Sequence, residues 1–209
     1  MKIAITSISS GLGAACFNSN DARFTVFGIS HSQCAPEKNI YSYTNLLELP
    51  TMEVLILNAA IGDSGGAILE MNPVELEQVM YVNVLQPIQL IHELFQLGKL
   101  THLKHLILVG SRFSSQAYIS TCQLEDLPGY AYCLSKTSLS LFTQILRKEN
   151  YNFTVNIIHP GVLSTEMGHP DGKSPIEISD VLLELIANGY FQKQYAGIID
   201  ISTSKIIDF

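Results

Sequence analysis

Apolar and polar positions along this chain follow two alternating rhythms. Short, nearly continuous apolar runs, Val54-Leu55-Ile56-Leu57 and His105-Leu106-Ile107-Leu108-Val109 the clearest, are separated by longer stretches with apolar residues at helical spacing. The pattern predicts strands near 2–6, 24–30, 39–43, 53–58, 104–110, 153–159 and 196–202. It predicts helices near 11–19, 73–80 running on through 81–97, 130–149 and 178–189. Continuous apolar strands need cover on both faces, so the expected class is α/β: a doubly wound, parallel sheet of about seven strands. One link is short. Only Ser32 to Asn39, with Pro36 inside, joins the second and third strands, whereas a parallel crossover usually takes at least ~10–12 residues. The covering helix is expected to shrink to a turn there, leaving part of one face thinly covered and open to a neighbouring subunit.

Composition narrows the picture without changing it. At 209 residues, 47% hydrophobic and 15% charged, with no repeat or linker, residues 1–209 read as one domain with a full core. The longest apolar stretches are of strand length, so no transmembrane helix is expected, and Met1 to Thr6 reads as a first strand rather than a signal peptide. Cys16, Cys34, Cys122 and Cys133 lack C-x-x-C spacing. That points away from a metal site and towards free thiols in a reducing, cytoplasmic setting. A net charge of −7 makes nucleic acid a poor partner.

Two stretches carry candidate chemistry. After the first strand comes Thr6-Ser7-Ile8-Ser9-Ser10-Gly11-Leu12-Gly13. Glycines 11 and 13 permit a tight turn and a close backbone approach to a pyrophosphate at the N-terminus of the following helix. It reads equally well as a serine-rich turn. Further on, Tyr132 and Lys136 lie four residues apart, on one face of a helix. An ammonium beside a phenol favours the phenolate and is expected to lower its pKa.

Taken in order, these pieces resemble the short-chain dehydrogenase/reductase family, which has a Rossmann fold. The family's Thr-Gly-x-x-x-Gly-x-Gly loop is matched at Thr6, Gly11 and Gly13, with Ser7 in place of the first glycine. Leu57-Asn58-Ala59-Ala60 resembles its Asn-Asn-Ala-Gly turn, and Val82-Asn83-Val84 its mid-helix asparagine segment. Val109-Gly110-Ser111 ends a strand where the family has its catalytic serine, followed by Tyr132 and Lys136. His159-Pro160-Gly161-Val162 and Thr165-Glu166-Met167-Gly168 resemble the segment on the nicotinamide side. Gly129-Tyr130-Ala131-Tyr132 and the His159 segment are most similar to the small carbonyl reductases of the C-factor and sniffer type.

The resemblance implies a catalytic set of Asn83, Ser111, Tyr132 and Lys136. Tyr132 would exchange the proton, Ser111 would hold the substrate oxygen, Lys136 would tune the phenol and hold the ribose, and Asn83 would interrupt its helix and hold a relay water. Singly, each reads equally as a strand-end cap (Ser111), a satisfied polar residue (Asn83), a solvated lysine (Lys136) or a core aromatic (Tyr132). Cofactor contacts are implied at Thr6, Ser9, Ser10, Gly11, Leu12, Gly13, His31, Asn58, Ala59, Ala60, Tyr132, Lys136, Pro160, Gly161, Val162 and Thr165. No metal is implied. No carboxylate follows the second strand before Glu37, and His31 lies between two hydroxyls, Ser30 and Ser32; this favours NADP(H) over NAD(H). Asn45 stands near the family's adenine-binding aspartate. The segment 112–131 reads as a long loop with Phe113, Tyr118 and Leu124 as substrate-pocket walls, 164–174 as a mobile lid, and His169 as an exposed loop residue. Helices near 75–97 and 130–149 are expected to make a homo-dimer or tetramer. The leading reading is an NADP(H)-dependent oxidoreductase acting on a small-molecule carbonyl or alcohol. A nucleotide-binding signalling protein with little turnover, or a dehydratase or epimerase on the same scaffold, stay open.

Overall fold

The computed structural model describes residues 1–31, 33–65 and 67–209. Eight strands form one sheet: β1 (Lys2–Thr6), β2 (Thr25–Ser30), β3 (Ile40–Ser42), β4 (Val54–Leu57), β5 (His105–Val109), β6 (Thr154–His159), β7 (Ile198–Asp200) and β8 (Lys205–Ile207). Their order is β3-β2-β1-β4-β5-β6-β7-β8, parallel except for β8, which pairs antiparallel with β7. β8 is one strand more than the apolar pattern predicts. It is a largely exposed three-residue edge with no buried face to reveal it.

Alternation along the strands sorts the core into two layers. On one face Ala4, Leu55, Leu57 and Ile157 pack with Leu90 and Leu94 of α3 (Gln86–Gln96) and Leu139 of α5 (Tyr130–Leu146). On the other, Ile3, Ile5 and Ile56 pack with Leu12 of α1 (Gly11–Phe17) and Ile178 and Leu182 of α6 (Pro175–Ala187). The short β2–β3 link is a single 3₁₀ turn, Pro36–Lys38, as its length implies. Cover comes from within the chain: a Cβ on Gly28 of β2 would collide with the Ile8 side chain and press on Phe17.

The helix expected over 73–97 is three pieces. α2 (Pro73–Met80) runs into a π-helical turn, Tyr81–Leu85, and then into α3. Pro87 is the local cause. It has no N–H to give the carbonyl of Asn83, four residues back, and its ring crowds that carbonyl, so the helix widens there. Asn83 therefore sits in the widened turn, buried. The segment 112–131 is likewise not a plain loop: it holds 3₁₀ turns at Arg112–Ser114 and Leu124–Asp126 and the short α4 (Gln116–Ile119).

Candidate active site

Ser111, Tyr132 and Lys136 come together at the C-terminal edge of the sheet. Ser111 leaves the end of β5, and Tyr132 and Lys136 occupy the first two turns of α5. The Tyr132 and Ser111 hydroxyls hydrogen-bond to each other. Lys136 is 2% exposed; its Nζ donates to the Val109 carbonyl at 2.9 Å and lies 5.6 Å from the Tyr132 ring centroid. That excludes the solvated-lysine reading. Burial pushes the Tyr132 phenol above its ordinary value, with the Ser111 hydroxyl pulling the other way. The spacing argument expected the opposite direction, from the neighbouring ammonium. Lys136 itself is driven down to about 8 by burial.

Asn83 is held on three sides. Its Oδ1 accepts from Ile61 N at 2.8 Å, and its Nδ2 donates to Ile61 O at 2.9 Å and to Ser135 Oγ at 3.0 Å. Ser135 Oγ in turn donates to Tyr132 O at 2.8 Å. The π turn, the loop after β4 and the tyrosine-bearing turn of α5 are thereby tied together. Asp63 completes the tie. Gly129, the N-cap of α5, has no side chain to cap with, and Asp63 Oδ2 instead accepts from Ala131 N at 2.9 Å. Sequence reasoning missed Asp63 because the contact spans 68 residues of chain.

At the nucleotide end, Thr6 is buried and its hydroxyl accepts from Asn58 N and Ala59 N, both at 2.9 Å. It braces β1 against the turn after β4. Ser9 and Ser10 are exposed, and Ser10 caps no N–H of α1. A Cβ on Gly13 would overlap the Ser7 carbonyl and crowd the Asn58 amide, so only glycine fits that turn. Ser7, at the family's glycine position, has φ +62, in the left-handed region. Across the cleft Thr165 reaches Gly11, and Met167 approaches Gly62. Gly161 (φ +86) faces Ser202, while Pro160, Val162 and Ala60 lie at partly or fully exposed positions beside it and the β4 turn. The segment expected as a lid is pinned to itself, by Ser164 N to Lys173 O and by Lys173 N to Val162 O, both at 2.9 Å. His169 is exposed and paired with Asp171 at 3.6 Å.

His31 is exposed and lies flat on Tyr43, with ring centroids 3.9 Å apart and 1° between planes. Tyr43 itself hydrogen-bonds Thr6, and burial raises its pKa to about 12. The Ser32 hydroxyl lies outside the described residues. Asn45 is engaged locally, donating to Glu48 Oε1 at 3.0 Å. Of the residues read as pocket walls, Phe113 and Tyr118 meet edge to face at 5.6 Å, whereas Leu124 is 59% exposed. Among the described residues no group of three or more potential metal ligands is present. No helix there is long and apolar enough to cross a membrane.

Fold and site together define a protein of the dinucleotide-fold oxidoreductase class, with the Gly11–Gly13 turn on one side of the sheet's C-terminal edge and a Ser-Tyr-Lys cluster on the other. Residues 36–175, two-thirds of the chain, match the short chain dehydrogenase family, and the chain belongs to that family. The match takes in Asn83, Ser111, Tyr132 and Lys136 and begins after the phosphate loop. C-signal of Myxococcus xanthus is 28% identical over 136 residues, spanning 63% of this chain and 77% of that protein. Two solved structures superpose with a TM-score of 0.76 over 100% of this chain and 99% of theirs. They are a carbonyl reductase of Pseudomonas aeruginosa PAO1 at 18% identity and carbonyl reductase Sniffer of D. melanogaster at 20%. A short-chain dehydrogenase/reductase of Burkholderia multivorans with bound NADP superposes at 0.77, with 18% identity over 100% of this chain and 99% of that one. At these identities the likeness is one of fold.

Proposed function

We propose that the chain is an NADP(H)-linked oxidoreductase that reduces a small carbonyl, or oxidises the corresponding alcohol, with Tyr132 as general acid/base. The observation that carries this is the buried cation Lys136 against the Tyr132 ring, with the Ser111 hydroxyl bonded to the phenol. A phenol held above its ordinary pKa is protonated at neutral pH and is a donor to a carbonyl oxygen. Ser111 hydrogen-bonds the same oxygen and stabilises charge developing on it. The Lys136 ammonium, which no carboxylate neutralises among the described residues, favours the phenolate left after transfer. Asn83 and Ser135 fix the turn on which Tyr132 rides. NADPH, when bound, supplies the hydride to the carbonyl carbon.

The residues fit that cofactor at the phosphate loop, where the uncapped first turn of α1 and the Cβ-free Gly11 suit a pyrophosphate, and Gly13 lets the turn close on Ser7 and Asn58. Asn58, Ala59, Ala60, the 160–162 segment and Thr165 would line the rest. His31 stacked on Tyr43, without an acid beside it, suits a 2′-phosphate better than a ribose hydroxyl pair. Exposed apolar side chains recur at matched spacing, Val74, Tyr81 and Leu85 against Leu134, Leu141 and Ile145, and support a homo-dimer through α2 with its π turn and α5. Tyr132→Phe is expected to lower turnover about 10²–10⁴-fold while leaving fold and nucleotide affinity intact; near-normal turnover would sink the assignment. Titrating NADPH and NADH tests His31: NADPH should bind more tightly, and His31→Ala should narrow the difference. A second reading, a signalling protein with little turnover, draws on the name of the Myxococcus relative and on the strained Ser7.

A further inference from the structure

We propose that the carbonyl compound bound here carries a carboxylate, and that Arg112 is the residue that receives it. The proposal rests on the oxidoreductase reading above. Arg112 directly follows Ser111, and its guanidinium carbon lies 5.2 Å from the Phe113 ring centroid and 5.1 Å from that of Tyr118. The two aromatic rings hold the guanidinium in place. What it lacks is an acceptor. Nε is buried without a partner, and among the described residues no hydrogen bond or ion pair reaches the guanidinium. Arg112 is half-buried, and a guanidinium does not shed its charge, so the buried Nε is left unfavourably unpaired unless a ligand completes it.

The room for that ligand is present. Arg112 lines a cavity of about 540 Å³ with Val162, His169, Asp171, Lys173 and Ser202. Beside it, the Lys173 ammonium donates to Ser202 O at 3.0 Å and adds positive charge to the cavity, while Asp171, 94% exposed, leans to His169. Of the two cations only the Arg112 guanidinium is a planar fork, and it matches the two oxygens of a monoanionic carboxylate. The cavity lining includes no residue of the phosphate loop, which separates this site from the cofactor's own phosphates. Its walls are Arg112, which adjoins Ser111 in the chain, the segment after β6 and Ser202 after β7.

The test compares two aldehydes of one skeleton, 4-carboxybenzaldehyde and methyl 4-formylbenzoate, as substrates with NADPH. Benzoate is titrated calorimetrically into the same protein without cofactor. The wild type should favour the acid in kcat/KM by about ten- to a hundredfold. Arg112→Ala should bring that ratio close to one and abolish benzoate binding, and Arg112→Lys should keep part of both. Turnover of both aldehydes with a wild-type ratio near one would overturn the carboxylate site and leave the oxidoreductase reading standing. No turnover of either, with benzoate binding that depends on Arg112, would uphold the site and count against the reading. Inorganic phosphate displacing benzoate at equal concentration would overturn the assignment to a carboxylate. Circular dichroism melts confirm that each variant is folded.

Discussion

Lys136→Met should stabilise this protein while destroying its activity. Lys136 is 2% exposed, and its Nζ has one hydrogen-bond partner, Val109 O. Among the described residues no carboxylate pairs with it; burial alone moves it from the ordinary lysine value of 10.5 to about 8. That fall corresponds to about 3 kcal/mol. The sign follows from proton binding. Between pH 8 and 10.5 the unfolded chain holds the lysine proton and the folded chain releases it, so stability rises with pH across that window. Below it, the folded protein carries the whole cost of a buried, unpaired ammonium. Methionine has a similar shape and no charge, and removes that cost. Leaving Val109 O without its donor returns about 1 kcal/mol. The net gain at pH 7 is about 2 kcal/mol, or ~4–8 °C in Tm for a chain of this length. Urea denaturation without added cofactor, run from pH 7 to 10.5, measures it. The mutant should lead at pH 7 and lose its lead by the top of the range. A mutant less stable at pH 7, or a difference flat across the range, would refute the reasoning. Carbonyl reduction should be lost in the same mutant at every pH.

Ser7→Gly should relieve the left-handed φ of +62; after the extra entropy of an unfolded glycine, the gain is about 0.5–1 kcal/mol in urea, and a loss of stability would show that the serine side chain is needed. Asp63→Ala should remove the acceptor for Ala131 N at the start of α5, costing about 1 kcal/mol or ~2–4 °C in Tm, with Asp63→Asn recovering part of it. Leu141→Glu with Ile145→Glu, both more than half exposed, should convert the proposed homo-dimer to monomer in sedimentation at micromolar concentration; a wild type that is monomeric throughout would remove that interface.

Much of this molecule is legible in its local pattern. The apolar runs at Val54–Leu57 and His105–Val109 are strands within a residue of their expected ends, because a strand buried on both faces has no polar position to disguise it. The ordered appearance of Gly11 and Gly13, Asn58, Asn83, Ser111 and the Tyr132–Lys136 pair carried the resemblance to the family, and at Gly11 and Gly13 the turn itself calls for glycine. Even the short β2–β3 link could be inferred from length alone, as eight residues cannot hold a crossover helix.

Tertiary structure decided what depends on groups distant along the chain. That Lys136 is buried over the Tyr132 ring, and that the phenol is raised rather than lowered, follows from packing between α5 and the end of β5, which no spacing rule reports. Asp63 became a cap only because α5 begins with a glycine lying against it. Arg112 was only the first residue of a long loop until the fold set two aromatic rings and a cavity around it. The sequence alone sufficed wherever a residue's role is set by its neighbours in the chain. Where the role depends on desolvation, and on which side chains exclude water from which, the fold had to be in hand.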